Sequence, residues 1–325
     1  MAGRMRSVFV TGGYGLLGSW LVRALLARDV EVTVLRRDET PRSALVLHGD
    51  EARCNVVRGD VEDGPLVLRA LGEYDADTVF HLAAQTLVPT ANRSPRSTWE
   101  TNVRGTWNVL EACRELDVAR TVVAASDKAY GPHDELPYTE SHALRPRFPY
   151  DVSKAAADLI ARSYWPTYGL PVATTRFANL YGGGDQNRSR LVPETVAAVL
   201  RGRAPVIRSD GSPRRDFIYV EDAVTAYLAI ADALDSEDAG ARGEAFNAGG
   251  GEPHSVLEIV ELVCRAAGTE VAPDVRGTGT PAGEIDAQWV DASKLQALTG
   301  WVPEVGLEDG LRRTVDWYRA HPRAL

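Results

Sequence analysis

Cysteine is scarce in this chain: Cys54, Cys113 and Cys264 are the only three in 325 residues, and they lie far apart. Such a set makes neither a disulfide framework nor a zinc pattern. Cys113 and Cys264 stand among apolar neighbours in helix-like segments, where core packing is the natural role. Long hydrophobic runs are missing too. None reaches the roughly 18 residues needed to cross a bilayer, and no signal-peptide pattern precedes the first apolar strand. A cytoplasmic location is expected. Basic tracts and aromatic–basic interleaving are also absent, and 36 basic against 45 acidic side chains leave a net charge of −9. That balance argues against a nucleic-acid partner. The histidines show no metal-ligand spacing, so no metal is expected. Basic residues recur only locally, at Arg36-Arg37, Arg188-x-Arg190 and Arg214-Arg215. They suit a small anionic ligand such as a nucleotide, although each pair alone reads equally well as solvated arginine.

What is present is an alternation of short apolar runs and helical patterns. Ser7–Thr11, Val30–Leu35, Cys54–Arg58, Thr78–Leu82, Thr121–Ala125 and Val172–Phe177 read as strands. Helical stretches fall at Leu16–Leu25, Pro65–Leu71, Thr98–Leu116 and Val152–Tyr168. This rhythm predicts an α/β fold, a Rossmann-type doubly wound parallel sheet with helices on both faces. After Leu180 the rhythm changes. A helix is expected at Leu191–Leu200, a short strand at Ala204–Ile207, then a Gly/Pro/Arg-rich turn into the apolar segment Phe217–Val220, and two more helices at His254–Ala267 and Leu307–Arg319. They read as a smaller α/β lobe closing over the carboxyl ends of the sheet. Residues 1–180 would then be mainly the dinucleotide-binding domain and 181–325 mainly the substrate lobe, with some crossing of the chain. Asp235–Gly243 reads as a surface loop.

TGGYGLLG, from Thr11 to Gly18, follows the first strand and opens a helix. Gly12, Gly15 and Gly18 permit a tight turn and close approach of backbone to a pyrophosphate at the helix N-terminus. Tyr14, Leu16 and Leu17 lie within the same turn. At the end of the second strand an acid would accept from the 2′-hydroxyl of NAD. This chain has Arg36 and Arg37 there, which suit a 2′-phosphate and favour NADP, while Asp38 keeps NAD as the alternative. Asp60 and Val61 follow the third strand, where the Asp60 carboxylate reads either as a contact to the adenine edge or as a helix N-cap. Leu82, Ala83 and Ala84 complete the cofactor side.

Ser126, Asp127 and Lys128 stand in a row where the fifth strand ends, and Tyr150 and Lys154 are four apart on one helix face. A nearby ammonium favours the phenolate and brings the tyrosine toward a general base. Ser126 would bond the reacting oxygen, and Lys154 would also hold the nicotinamide ribose. Asn179, at the cleft rim, is placed to donate to a diphosphate, and Arg215 to grip it bidentately. Arg190, Leu191, Arg208 and Thr86 are further substrate-side candidates. His81 reads as shaping the sheet-to-loop junction.

Together with TGGYGLLG and Tyr150-x-x-x-Lys154, the segments HLAA (His81–Ala84), TNVRGTWNVLEA (Thr101–Ala112), SDKAYG (Ser126–Gly131), RFANLYG (Arg176–Gly182), RRDFIYVEDA (Arg214–Ala223) and the terminal GLRRTVDWYR resemble the extended short-chain dehydrogenase/reductase family over nearly the whole chain. The resemblance implies an enzyme acting on a nucleotide-diphosphate hexose. Tyr150 would be the base for oxidation at C4, with the cofactor tightly bound and regenerated each cycle. It also implies a homodimer built on a four-helix bundle of Thr98–Leu116 and Val152–Tyr168. Asp127-Lys128 is similar to the CDP-glucose 4,6-dehydratase type, in which the acid protonates the C6 hydroxyl and the lysine removes the C5 proton. Such a lysine must be neutral to act. Pro89-Thr90 departs from that type, and Arg36–Asp50 looks more like the NADP-using GDP-mannose 4,6-dehydratases, so the nucleotide base stays open. The expected reaction is 4,6-dehydration. The alternatives are a 4-epimerase, which needs only Ser126, Tyr150 and Lys154, and a non-catalytic dinucleotide-binding protein.

Overall fold

A computed structural model describes residues 5–236, 240–279 and 285–325; within the expected loop 235–243, residues 237–239 lie outside the described ones. In chain order the strands are β1 (Ser7–Thr11), β2 (Glu31–Arg36), β3 (Asn55–Arg58), β4 (Thr78–His81), β5 (Arg120–Ala124), β6 (Val172–Phe177), β7 (Asn179–Tyr181), β8 (Val206–Ile207), β9 (Arg214–Tyr219), β10 (Ala245–Ala248), β11 (Pro253–Ser255), β12 (Asp274–Val275) and β13 (Ala287–Gln288). The helices are α1 (Leu16–Leu26), α2 (Ala44–Leu47), α3 (Gly64–Glu73), α4 (Val88–Arg93), α5 (Pro95–Trp99), α6 (Gly105–Glu115), α7 (Pro149–Tyr168), α8 (Leu191–Val199), α9 (Val220–Leu234), α10 (Val256–Ala266), α11 (Ser293–Thr299) and α12 (Leu307–Ala320).

Seven strands form one sheet in the order β10-β6-β5-β4-β1-β2-β3, with every neighbouring pair parallel. β1, β4 and β6 are buried along their whole length, as strands covered by helices on both faces must be. The strand order reverses between β1 and β4, which opens a crevice at their carboxyl ends. The expected α/β class is therefore what forms, with a difference in the chain's path. β10 returns from beyond residue 180 to pair with β6, Ala245 opposite Thr174. Helix α9 packs beneath it on β5, β6 and α1. Neither element was expected. The apolar positions of α9 run around most of its circumference, so no single stripe marks it. β10 is four residues long, too short to show a period.

A smaller sheet, β11-β9-β13 with β7 on β9, sits over the crevice. Helices α8, α10 and α12 close it around Val196, Ile259, Val263, Leu311 and Val315. Local chemistry sets the boundaries that matter. Pro149 begins α7 three residues before the expected start, because its missing N–H costs nothing at a first helical position. Gly169, at φ +74, ends the same helix. The long helix expected over 98–116 is instead α5, a wide π-type turn at Glu100–Arg104, and α6. No helix among the described residues is long and apolar enough to cross a membrane.

Candidate active site

The glycine turn is tight for a steric reason. A Cβ on Gly12, whose φ is +73, would lie 2.7 Å from the Ala83 nitrogen, and one on Gly18 would lie 2.2 Å from the Gly12 oxygen. Thr11 Oγ1 fixes the opposite wall by accepting from the Leu82 and Ala83 amides, each at 3.2 Å. His81 closes that junction, its ring nitrogens 2.8 Å from Thr11 Oγ1 and 3.0 Å from Thr106 Oγ1. Burial pushes its pKa down to about 3, so it is a neutral structural imidazole. α1 starts without a side-chain cap, leaving its first amides to face an anion. Leu16 begins that helix and Leu17 packs against the core beside it. These residues fit a nicotinamide dinucleotide.

At the ribose end, Arg36 Nη1 donates to Glu51 Oε1 at 2.9 Å, and the Tyr14 hydroxyl donates to the same oxygen at 2.5 Å. Arg36 also meets Glu39 at 3.1 Å, while Arg37 pairs with Asp38 at 2.7 Å and lies 4.0 Å from Asp60. Asp60 is not a helix cap. Its Oδ1 accepts from the Glu62 amide, and the cap of α3 is Asp63, which accepts from the Leu66 amide. Val61 is buried against Gly105. Thr86 lines a cleft of about 280 Å³ together with Arg37 and Ala84.

The chemical cluster is built by one short turn and one helix. Ser126, two residues past the end of β5, accepts from the Lys128 amide at 3.2 Å and caps the single 3-10 turn Asp127–Tyr130. That turn packs on the start of α7, which carries Tyr150 and Lys154. Asp127 is 2% exposed. Its Oδ1 accepts from Ser126 Oγ at 3.2 Å, and its Oδ2 is buried with no hydrogen-bond partner among the described residues. Lys128 Nζ donates to Gln288 Oε1 at 2.5 Å. Lys154 Nζ donates to the Ala124 carbonyl at 2.7 Å, and burial lowers its pKa to about 8.

The tyrosine differs from expectation. Burial pushes the Tyr150 phenol up to about 12, and the groups that favour its phenolate are Arg190 and Ser126 rather than Lys154. Lys154 Nζ is held by the Ala124 carbonyl instead. Arg190, anchored to Asp185 at 3.1 Å, thus stands near the Tyr150 phenol; Leu191 follows it at the start of α8.

Three further polar groups enter the site that sequence reasoning did not place there. Asp151 lies inside the Tyr-x-x-x-Lys motif itself. Burial pushes it up to about 6, against the pull of Lys128. Asp216 is buried, accepts from the Gly250 amide at 2.8 Å, and is raised to about 7 by burial and the nearby Asp127 charge. An acid in these motifs was visible in the sequence, whereas Gln288 carried no signal. The remaining substrate-side candidates are divided. Asn179 Nδ2 donates to the Asp216 carbonyl at 3.1 Å, and Arg215 donates to the Arg214 and Asp286 carbonyls at 2.9 and 3.2 Å on β9. Arg208 is exposed and holds Glu194 in a two-pronged pair at 2.6 and 2.8 Å.

A model described as the NAD dependent epimerase/dehydratase family matches residues 8–249. The dTDP-glucose 4,6-dehydratase of Streptomyces griseus is 33% identical over 321 residues, covering 97% of this chain and 94% of that protein. Among solved structures, the dTDP-glucose 4,6-dehydratase DesIV of Streptomyces venezuelae, with NAD bound, superposes with a TM-score of 0.86 at 33% identity, covering 98% of each chain. The UDP-glucose 4-epimerase of Thermotoga maritima, with UDP-glucose, gives 0.89 at 27% identity, covering 97% of this chain and 99% of that one. By its glycine cradle and by this relatedness, the chain is an NAD(P)-binding member of the NAD dependent epimerase/dehydratase family of extended short-chain dehydrogenases/reductases.

Proposed function

We propose that the protein is a nucleotide-diphosphate-hexose 4,6-dehydratase. The observation that carries this reading is Asp127: a buried carboxyl with one oxygen unpartnered among the described residues, beside Ser126 and on the same turn as Lys128. A 4-epimerase has no use for that acid and amine pair. The relatives named as dTDP-glucose 4,6-dehydratases support the reaction, and those named as 4-epimerases make epimerisation the second reading.

In the proposed cycle Tyr150 takes the C4 hydroxyl proton while Ser126 hydrogen-bonds the same oxygen. A nicotinamide dinucleotide held at the Thr11–Gly18 turn would supply the hydride acceptor for C4 and the hydride donor for C6. Lys128, as the free amine, removes the C5 proton, which the C4 ketone acidifies. Asp127 gives its proton to the C6 oxygen, the C6–O bond breaks and water leaves. Lys128 then returns its proton to C5. Tyr150 finishes with one proton more and Asp127 with one fewer. Ser126 bonds Asp127 and neighbours the phenol, so it lies on the path that evens them. Asn179, Arg215 and Thr86 are assigned to the sugar nucleotide, with Arg208 and Leu191 at its margin.

For the cofactor we propose NADP. Glu51 fixes Arg36, while Glu39 and Asp38 are 68% and 61% exposed. Exposed pairs are worth about 0–1 kcal/mol, so a 2′-phosphate can take the place of those two carboxylates. Tighter binding of NAD than of NADP by the apoenzyme sinks this assignment. We assign residues 1–180 mainly to the dinucleotide and 181–325 mainly to the sugar nucleotide. The proposed homodimer pairs α6 and α7, which pack on each other and expose Trp107, Leu159 and Tyr168.

The decisive experiment offers dTDP-glucose, UDP-glucose, CDP-glucose and GDP-mannose to the purified protein and follows product mass. Loss of one water without net change of the cofactor supports the dehydratase. Unchanged mass with inverted C4 supports the epimerase. Asp127→Asn should block water loss and leave C4 oxidation; full-rate dehydration by D127N refutes the acid.

A further inference from the structure

We propose that Gln288 is the positioning residue for Lys128, its carboxamide holding the lysine nitrogen both as ammonium and as free amine. The inference rests on the reading of Lys128 as the C5 base. Gln288 is on β13, level with Arg215 of β9, and is fully buried. Its Oε1 accepts from Lys128 Nζ at 2.5 Å, across 160 positions of sequence. Its Nε2 is buried with no hydrogen-bond partner among the described residues. As mere filler this arrangement is a poor choice, since an unsatisfied buried donor is destabilising.

The chemistry of the base gives the amide a purpose. An ammonium offers three donors and no acceptor, so it needs Oε1; a free amine has a lone pair, which needs a donor. A half-turn of the carboxamide exchanges one for the other at the same point in space. Glutamate serves only the ammonium and methionine serves neither. Among the described residues, the charged groups around Lys128 include Asp127 on its own turn and Asp151 at the start of α7, with Asp216 on β9 set against Asp127. Gln288 is the neutral member of that ring. It lets the lysine lose and regain a proton among carboxylates without changing its aim. Because β13 belongs to the smaller sheet, the base is aimed by the part of the chain that covers the crevice.

The chain has only three lysines, Lys128, Lys154 and Lys294, so lysine labelled with carbon-13 at Cε gives three side-chain signals. Lys128→Arg and Lys294→Arg assign them. Wild type, Gln288→Glu and Gln288→Met are titrated by NMR. The expected result is a Lys128 midpoint raised by at least one pH unit, a tenfold change, in Q288E and lowered in Q288M, with Lys154 and Lys294 unmoved. If one variant fails to fold, the other decides. A Lys128 midpoint unchanged in the folded variants overturns the proposal. This titration needs no substrate, so it is separate from the reading beneath it: a Lys128→Arg enzyme that dehydrates at the wild-type rate refutes Lys128 as the base, whatever Gln288 does. With the hexose that is turned over, Q288M should lower kcat for water loss and leave KM in place.

Discussion

Lys154→Met should remove catalysis and make the fold more stable at neutral pH. Lys154 is 5% exposed, and burial brings its pKa from the ordinary 10.5 to about 8. At 1.36 kcal/mol per pH unit, that fall corresponds to ~3 kcal/mol. The unfolded chain keeps the lysine proton up to 10.5 while the folded chain releases it near 8. Between those values the unfolded state binds more protons, so stability rises with pH. The contribution is fully present above 10.5 and lost as pH falls through about 8. Methionine, of similar length, carries no such penalty. It forfeits the hydrogen bond to the Ala124 carbonyl, worth ~1 kcal/mol, which leaves a net gain of ~2 kcal/mol at pH 7. An ordinary truncation of a buried side chain costs 2–5 kcal/mol instead, so the two accounts differ in sign. Urea unfolding of both proteins across the window from neutral pH to the ordinary lysine pKa measures the difference, in which the other titrating groups cancel. A gap that does not change with pH, or a variant less stable than wild type at pH 7, refutes the reasoning.

Other outcomes follow from the same structure. Arg176→Met strands Asp158, a fully buried carboxylate now held by Arg176 at 2.6 Å and by Thr174. It should cost about 3–5 kcal/mol in urea unfolding, and the double variant R176M/D158L should recover much of that loss. Gly18→Ala drives a Cβ to 2.2 Å from the Gly12 oxygen. Overpacking of this kind costs about 1–3 kcal/mol, so NADP affinity measured by calorimetry should fall roughly tenfold or more. Trp107→Glu combined with Leu159→Glu places charges on the face shared by α6 and α7, where Trp107 is 43% and Leu159 57% exposed. Sedimentation should then show a monomer for the variant and the proposed dimer for the wild type, and a dimeric variant sinks that surface.

The parts legible in the sequence were those written in local pattern. Buried parallel strands need continuous apolar runs, and Val172–Phe177 appears in the structure with the bounds the pattern predicts. The glycine spacing is equally local, because the clash that forbids a side chain at Gly18 is with Gly12, six residues away. Illegible were the elements whose identity depends on distant partners. β10 is a strand because β6 offers it an edge, and α9 is a helix buried on most sides with no stripe to reveal it. Asp60 was open between an adenine contact and a helix cap, and only the backbone geometry showed that Asp63 caps α3 instead.

Taken alone, the amino-acid sequence determined the parallel α/β sheet and the dinucleotide turn and marked the side chains proposed to react, since each depends on residue type at short spacing. Tertiary structure decided their electrostatic state. Burial and not a nearby lysine sets the Tyr150 phenol, a carbonyl of β5 takes the Lys154 ammonium, Arg190 stands near the phenol, and Gln288 arrives from 160 positions away to hold Lys128. Solvation and charge act through space, and distances through space are what a linear sequence does not contain.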